Sequence, residues 1–197
     1  MVIIVTGKIG IGKTTVCREL AAIVRSQGYT CGGVLSYEAS DGDILIEDIQ
    51  TGKKETLASP SNVYQGPRTP KYYFNPEGIE FGIQAIEQGL STAILIVDEI
   101  GHLELRSEGF AGVLELIRTN KVKDCILVIR CGLLPEFLPR LATVPLIFET
   151  TSANRDQLPQ KIGSVLLENL QNEDSIRALG CQVDMKYPFE ETQRLDP

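Results

Sequence analysis

The feature that most constrains this chain is a glycine-rich segment directly after a short apolar run at residues 2–5. The segment reads Gly7-Lys8-Ile9-Gly10-Ile11-Gly12-Lys13-Thr14 and fits the pattern G-x-x-x-x-G-K-[ST] of a phosphate-binding P-loop. Apolar residues at helical spacing predict a helix from residue 13 to about 27, so the segment joins a strand to a helix. A glycine-rich turn that only happens to hold Lys-Thr is the alternative, and the agreement of strand, spacing and helix argues against it.

Each residue type in this loop suits the binding of a nucleotide. Gly7, Gly10 and Gly12 allow backbone conformations that a side chain would block, so successive N–H groups can converge on phosphate oxygens. The positive end of the following helix adds to this field. Lys13 can reach the β- and γ-phosphates, and the Thr14 hydroxyl can ligate Mg²⁺. We therefore expect residues 7–15, Thr15 included, to bind a nucleotide.

Length, charge and hydropathy limit the class of protein. The 197 residues predict one domain over 1–180 and a peripheral polar tail over 181–197. The net charge of −7 argues against a large phosphate-backbone footprint, so we expect no nucleic-acid partner. We also expect a monomer. The apolar runs are too short for a membrane span, and so little chain precedes the first strand that we expect no signal peptide.

The cysteines bear on the cellular compartment. The chain has five, an odd number without paired metal-ligand spacing: Cys17, Cys31, Cys125, Cys131 and Cys181. We interpret them as reduced and mostly buried thiols of a cytoplasmic protein.

The first half of the chain contains a predicted antiparallel insertion at residues 33–57. Strand-like runs at 33–38 and 43–50 are separated by Ser40-Asp41-Gly42, and an Asp-Gly between such runs is a strong hairpin signal. A third run at 54–57 extends the hairpin into a meander.

Residues 59–76 lack periodicity because prolines and a glycine interrupt them. Two interpretations stay open for this segment: a surface loop, or a mobile flap that closes over a nucleotide.

Strands and helices alternate through the rest of the chain. Strands are predicted at 93–97, 125–129 and 146–148, and the last two are expected to be buried. Helices are predicted after Asn75-Pro76, at 107–120, and from the end of the segment 150–156 to about 170, with a short irregular helix at 133–141. This order predicts an α/β fold with a mainly parallel sheet, covered by helices on both faces, in which the 33–57 hairpin is the antiparallel exception.

A second motif completes the predicted site: Ile94-Leu95-Ile96-Val97-Asp98-Glu99-Ile100-Gly101. Four apolar residues and an acidic pair describe a Walker B strand, whose carboxyl end lies beside the P-loop because ligands bind at that edge of such sheets. Asp98 would hold Mg²⁺ through its water shell. Glu99 can orient and deprotonate a water that attacks the γ-phosphate, which indicates a hydrolase. An acidic pair that merely ends a strand is the alternative, and the P-loop argues against it.

These motifs resemble those of the small P-loop nucleoside-triphosphatases first described from thermophiles, a family with a cancer-related member in animals. The resemblance covers roughly residues 1–170 and rests on 7–15, on Asp98-Glu99-Ile100-Gly101-His102-Leu103-Glu104-Leu105, and on 151–159. It implies a RecA-like core and slow, Mg²⁺-dependent hydrolysis of ATP, GTP and other triphosphates with broad base tolerance. By the same resemblance, Lys13 and Glu99 are catalytic, and residues 94–101 belong to the nucleotide site.

Two departures from the family pattern stand out. His102 occupies a position where many members have Lys, and we favour a surface or hydrogen-bonded role for it over phosphate binding. Arg130-Cys131-Gly132 follows the 125–129 strand where a small-residue turn is expected.

Several cations are candidates for stabilising charge during phosphoryl transfer, namely Arg68, Lys71, Arg106, Arg130 and Arg155. The sequence does not choose among them, and a solvated surface position is the alternative for each. Asn154 and Arg155 are candidates for base or ribose contacts, and capping of a helix N-terminus by Ser152 or Asn154 is the alternative.

Two other functions stay open at this point. One is a P-loop nucleoside or nucleotide kinase, and the other is a regulatory module that hydrolyses nucleotide only as a switch.

Overall fold

The structure, a computed structural model, describes residues 1–119 and 121–184. Asn120 and residues 185–197, which include most of the predicted tail, lie outside the described residues. The chain divides into two compact units, Met1–Gly163 and Ser164–Pro197. The first unit contains the whole sheet, and the predicted site residues all lie in it.

The described residues form eight strands and six α-helices. The strands are β1 Val2–Gly7, β2 Cys31–Glu38, β3 Ile44–Asp48, β4 Lys54–Ser59, β5 Tyr73–Phe74, β6 Ile94–Ile100, β7 Cys125–Arg130 and β8 Leu146–Glu149. The helices are α1 Lys13–Ser26, α2 Pro76–Gly89, α3 His102–Leu105, α4 Gly112–Arg118, α5 Leu134–Phe137 and α6 Leu158–Asp184, with a 3₁₀ turn at Leu138–Arg140.

All eight strands form one sheet in the order β5-β4-β3-β2-β6-β7-β1-β8. The five strands β2, β6, β7, β1 and β8 are parallel neighbours, and β3, β4 and β5 continue the sheet in antiparallel pairs. The predicted α/β class, with a mainly parallel sheet and an antiparallel hairpin, is confirmed. Strand β7 lies between β1, which leads into the P-loop, and β6, which carries Asp98 and Glu99.

Helices cover both faces of this sheet, as the alternating pattern predicted. Val2 and Ile4 of β1 belong to a buried cluster that also contains residues of α2, α4 and α5. Because successive side chains of a strand point to opposite faces, Ile3 and Val5 face the other side. Helix α1 contacts β1, β2 and β6 without joining that cluster, and it therefore covers the second face.

The predicted hairpin and meander are present. The Ala39 and Asp43 backbones hydrogen-bond across the turn at 2.8 Å, and Gly42 has a φ of 89° there. In residues 59–76, the short strand β5 pairs with β4, and Thr69 N–H donates to the Tyr72 carbonyl at 2.9 Å. This segment is therefore hydrogen-bonded to the edge of the sheet, and its closure over a nucleotide stays a prediction.

Helix α2 begins after Asn75, whose side chain accepts the Glu77 N–H at 3.1 Å, as the Asn-Pro pair predicted. Glycines on its buried side let the helix lie against the sheet. A Cβ added at Gly78 would lie 2.2 Å from the Thr56 carbonyl oxygen, and one at Gly89 would lie 2.7 Å from the Gly33 nitrogen.

Three predictions about elements are wrong. The predicted helix over 107–120 starts too early, because residues 107–111 form a turn in which Ser107 has a φ of 62°. The helical part is Gly112–Arg118, and Asn120 lies outside the described residues. Strand β8 is not buried, since β1 is its one neighbour among the described strands, and Leu146 and Ile147 are each 44% exposed. Helix α6 begins after residue 156 as predicted, but it extends beyond the predicted end near residue 170 and includes residues 181–184 of the expected tail.

Among the described residues, no helix combines the length and the apolar character that crossing a membrane requires.

Candidate active site

The P-loop connects the end of β1 to the start of α1, at the carboxyl edge of the sheet. Gly12 directly precedes α1 with a φ of 105°, which favours glycine, and no side chain caps the helix. The first N–H groups of α1 therefore lack side-chain partners, and such a helix terminus attracts anions. Lys8, Ile9 and Gly10 are exposed at the tip of the loop.

The Lys13 side chain lies under this loop and is only 5% exposed. Its ammonium group donates to the Lys8 carbonyl at 2.9 Å and to the Gly7 carbonyl at 3.4 Å. The charge is thus held inside the turn where the predicted phosphates would lie.

Asp98 of β6, Thr14 of α1 and Ser36 of β2 meet beside the P-loop. The Thr14 hydroxyl donates to the Ser36 carbonyl at 3.1 Å and lies within hydrogen-bonding reach of the Asp98 carboxyl group, which also accepts the Ser36 N–H. Asp98 is 1% exposed, and its burial raises the pKa of its carboxyl to about 7. The neighbouring Glu99 charge also raises that pKa, whereas the Thr14 hydroxyl and the Lys13 charge oppose the shift.

This group of oxygens fits a magnesium ion. Asp98 Oδ2 is buried and has no hydrogen-bond partner among the described residues, which leaves a lone pair available for a cation or its water. Within the described part of the chain, no three His, Cys, Asp or Glu side chains are grouped to hold a metal. Mg²⁺ needs no such cage, because it keeps several waters and binds through one or two protein oxygens plus phosphates.

Glu99, the next residue after Asp98, forms an ion pair with Arg130 at the end of β7. The Glu99 side chain is 22% exposed and the Arg130 side chain 40% exposed, so solvent reaches the pair. Of the five candidate cations, Arg130 is paired with the predicted base. Lys71 instead pairs with Glu38, Arg106 with Glu108, and Arg155 with Asp156, while the Arg68 carbonyl accepts from Arg106.

Glu104 shapes the turn that follows β6. Its buried carboxylate accepts the Gly101 N–H at 2.7 Å and the Phe110 N–H at 2.8 Å. Burial raises the pKa of the Glu104 carboxyl, and these two N–H donors oppose the shift. Because Phe110 N–H bonds this carboxylate, it is not part of a helix, which explains the turn at 107–111. Sequence reasoning gave Glu104 no role of its own.

A cleft of about 200 Å³ lies between the start of α1 and the loop before α6. It is lined by Gly12, Thr15, Val16, Glu19, Arg155 and Asp156. Asn154 bonds its own loop, since its side chain accepts the Thr151 N–H at 2.8 Å and donates to the Glu149 carbonyl at 2.9 Å. The helix-cap alternative for Ser152 and Asn154 is wrong, because α6 starts at Leu158.

The comparisons with known proteins decide the family. A family model described as NTPase matches residues 2–163, which coincide with the first compact unit. The chain belongs to this NTPase family. Its members are hydrolases, and the predicted enzyme class is confirmed.

Relatives and solved structures of this NTPase family match most of the chain. Nucleoside-triphosphatase THEP1 of Methanopyrus kandleri is 30% identical over 176 residues, which are 86% of this chain and 97% of the relative. The protein of the same name from Thermotoga maritima is 31% identical over 175 residues, again 86% of this chain and 97% of the relative.

Two solved structures share the fold. The crystal structure of THEP1 from Aquifex aeolicus has a TM-score of 0.69 at 28% identity, covering 84% of this chain and 99% of that one. The solution structure of a human cancer-related nucleoside triphosphatase has a TM-score of 0.65 at 20% identity, covering 83% and 96%, and this likeness concerns the fold alone.

The structure of this NTPase brings most predicted site residues to one edge of the sheet. Residues 7–15 and 98–101 meet there, and Arg155 adjoins the cleft. Ile94, Leu95, Ile96 and Val97 are at most 1% exposed, so they support that edge from within the core, and direct nucleotide contact through them stays a prediction. His102 is exposed at the start of α3. Sequence reasoning missed Ser36, whose only signal was its place near the end of a strand.

Proposed function

We propose that this NTPase hydrolyses nucleoside 5′-triphosphates to diphosphates and phosphate, with Mg²⁺ and with Glu99 activating the attacking water. The observation that carries the proposal is the position of Glu99. Its carboxylate is partly exposed to solvent and directly follows the buried Asp98, at the edge of the sheet where β1 leads into the P-loop. Membership of the NTPase family supports the reaction class.

The P-loop would receive the phosphates. Backbone N–H groups of residues 8–14 and the uncapped start of α1 supply donors, and the dipole of α1 favours negative charge at this position. Two donors of the Lys13 ammonium contact the carbonyls of Gly7 and Lys8, which leaves a third for a phosphate oxygen.

Thr14 and Asp98 would hold Mg²⁺ together with phosphate oxygens and water. The ion would supply positive charge that offsets the negative charge developing on the phosphates during the reaction. The support for this assignment is the buried, unpartnered oxygen of Asp98 beside the Thr14 hydroxyl.

In the chemical step, the oxygen of a water molecule attacks the γ-phosphorus. The bond from that phosphorus to the β–γ bridging oxygen breaks, and its electron pair leaves with the diphosphate. Glu99 accepts the proton that the attacking water loses, so triphosphate and water give diphosphate, phosphate and a proton. A base in position contributes about 10²–10⁴-fold to such a rate.

Broad base tolerance is part of the proposal. The cleft beside Gly12 is open to solvent, and Arg155 is half exposed at its edge. A guanidinium plane can stack on any base, whereas strict selection needs buried polar groups that read one base edge. We propose that the 154–155 segment lies beside the base and does not discriminate among the different bases.

We also propose that the protein is a cytoplasmic monomer. Four cysteines support a reducing compartment, since Cys17, Cys31, Cys125 and Cys131 are free thiols and the first three are buried.

Phosphate release from ATP and from GTP, without any acceptor, tests the proposed function. We expect both nucleotides to be hydrolysed with Mg²⁺, and we expect EDTA or the substitution Lys13→Ala to abolish release. Release that requires a second nucleoside or nucleotide would instead identify a kinase. Release that needs a protein partner would identify a regulatory module.

A further inference from the structure

Arg130 is the last residue of β7. Strand β7 lies between β1 and β6, so its carboxyl end emerges between the P-loop and Glu99. In the register of the sheet, Arg130 is paired with Gly7, the first glycine of the P-loop. Neighbouring strands are about 4.8 Å apart, which places the Arg130 backbone directly beside the loop that would hold the phosphates.

Backbone contacts fix this position. The N–H of Cys131 donates to the Gly7 carbonyl at 3.3 Å, and Lys13 Nζ lies 3.4 Å from the same oxygen. On the other side, Ile129 is paired with Ile100 of β6, one residue after Glu99. Arg130 therefore lies at a strand end between the P-loop and β6, and its side chain reaches Glu99.

The guanidinium of Arg130 is incompletely bonded in this arrangement. Its Nε forms the ion pair with Glu99, yet this buried N–H donates no hydrogen bond to any described residue. Arginine has five N–H donors in a planar fork that suits phosphate oxygens. A pair that solvent reaches is weak and is readily exchanged for a more highly charged partner.

We propose that Arg130 is the charge-stabilising arginine of this site, supplied by the chain itself. It pairs with Glu99 in the nucleotide-free protein and turns to the γ-phosphate when a triphosphate binds, which leaves the Glu99 carboxylate free for water. A diphosphate lacks the group that Arg130 would contact, so Arg130 distinguishes triphosphate from diphosphate. The inference rests on the proposed function for its catalytic meaning.

The test compares the affinities for adenylyl imidodiphosphate and for ADP, both with Mg²⁺, by isothermal titration calorimetry. Arg130→Ala should weaken binding of the triphosphate analogue about tenfold, as expected from the loss of one charged hydrogen bond. It should leave the affinity for ADP unchanged, which also shows that the variant is folded. Arg118→Ala is the matched control, because Arg118 forms an exposed ion pair with Glu115. It should change neither affinity.

The same comparison in a Glu99→Gln background separates phosphate contact from positioning of Glu99. The ion pair is weakened there, so a residue that acted only through Glu99 would no longer matter. We expect Arg130→Ala to weaken binding of the analogue in this background as well. No change in this background, or an equal loss of ADP affinity, would overturn the inference.

Turnover supplies a third readout. We expect Arg130→Ala to lower kcat by about 10²-fold or more, and Arg130→Lys to restore part of it, because the ammonium keeps the charge without the fork. A variant with wild-type kcat would contradict the inference. If wild-type protein needed an acceptor for phosphate release, the proposed function would fail while the affinity comparison would still decide the role of Arg130.

Discussion

Replacing Glu104 by Gln should destabilise the protein, because this buried carboxylate holds the turn after β6 through two N–H groups. Those hydrogen bonds are 2.7 and 2.8 Å long, and Glu104 is 4% exposed. An amide oxygen can accept one of them, but the amide NH₂ then faces the other N–H as a second donor. One buried N–H thus loses its partner, at a cost of about 1–3 kcal/mol. For a chain of this size that corresponds to a Tm lower by about 2–12 °C.

Urea denaturation followed by circular dichroism measures this cost, as a lower midpoint at constant m-value. Glu108→Gln is the control, because Glu108 is 41% exposed and its carboxylate pairs with the half-exposed side chain of Arg106. Its free energy of unfolding should change by less than about 1 kcal/mol. Equal stability of Glu104→Gln and the wild type, or an equal loss in both variants, would refute the assignment of Glu104 as the residue that holds this turn.

Three further predictions concern packing, pH and thiol reactivity. Gly78→Ala should lower the free energy of unfolding by about 1–3 kcal/mol in urea denaturation, because the added Cβ would lie 2.2 Å from a backbone oxygen. Gly112→Ala is the control and should be neutral or stabilising, because the space around Gly112 is open. Burial raises the pKa of Asp98 from 3.8 to about 7, so in EDTA its contribution to the free energy of unfolding should be lost as pH rises through that range, and Asp98→Asn should remove this dependence. Iodoacetamide should label the exposed Cys131 before the buried Cys31 and Cys125, because burial raises the pKa of those two thiols to about 11 and about 12. Peptide mass spectrometry measures the labelling rates, and similar rates at all three cysteines would contradict this burial.

The parts of the fold that the sequence predicted are those specified by local chemistry. The P-loop spacing, the Asp-Gly turn between β2 and β3, and the Asn-Pro start of α2 each depend on residues next to one another in the chain. The strands β1, β6 and β7 were predicted because each contains a continuous apolar run that is buried on both faces of the sheet.

The parts that sequence reasoning missed depend on contacts between distant residues. Phe110, Val113 and Ile117 have helical spacing, but the Phe110 N–H donates to the Glu104 carboxylate and not to a helical carbonyl, so the helix begins only after Phe110. The exposure of β8 follows from its place at the edge of the sheet, which no local pattern specifies. The contact of Ser36 with Thr14 likewise follows from strand order.

The candidate site divides in the same way. The P-loop and Walker B motifs specify the residue types that bind phosphate and Mg²⁺ and activate water, and they predicted Lys13, Thr14, Asp98 and Glu99. The choice of Arg130 among five cations required the order of the strands, since only that order places the end of β7 between the P-loop and β6.

Phosphate release by Glu99→Gln is the measurement that tests the central claim most directly. The substitution keeps the shape of the side chain and removes the carboxylate that would accept the proton from water. We predict that the variant still binds Mg²⁺ and adenylyl imidodiphosphate with at least wild-type affinity, while phosphate release from ATP without an acceptor falls by about 10²–10⁴-fold. Undiminished phosphate release by this variant would contradict the assignment of Glu99 as the base.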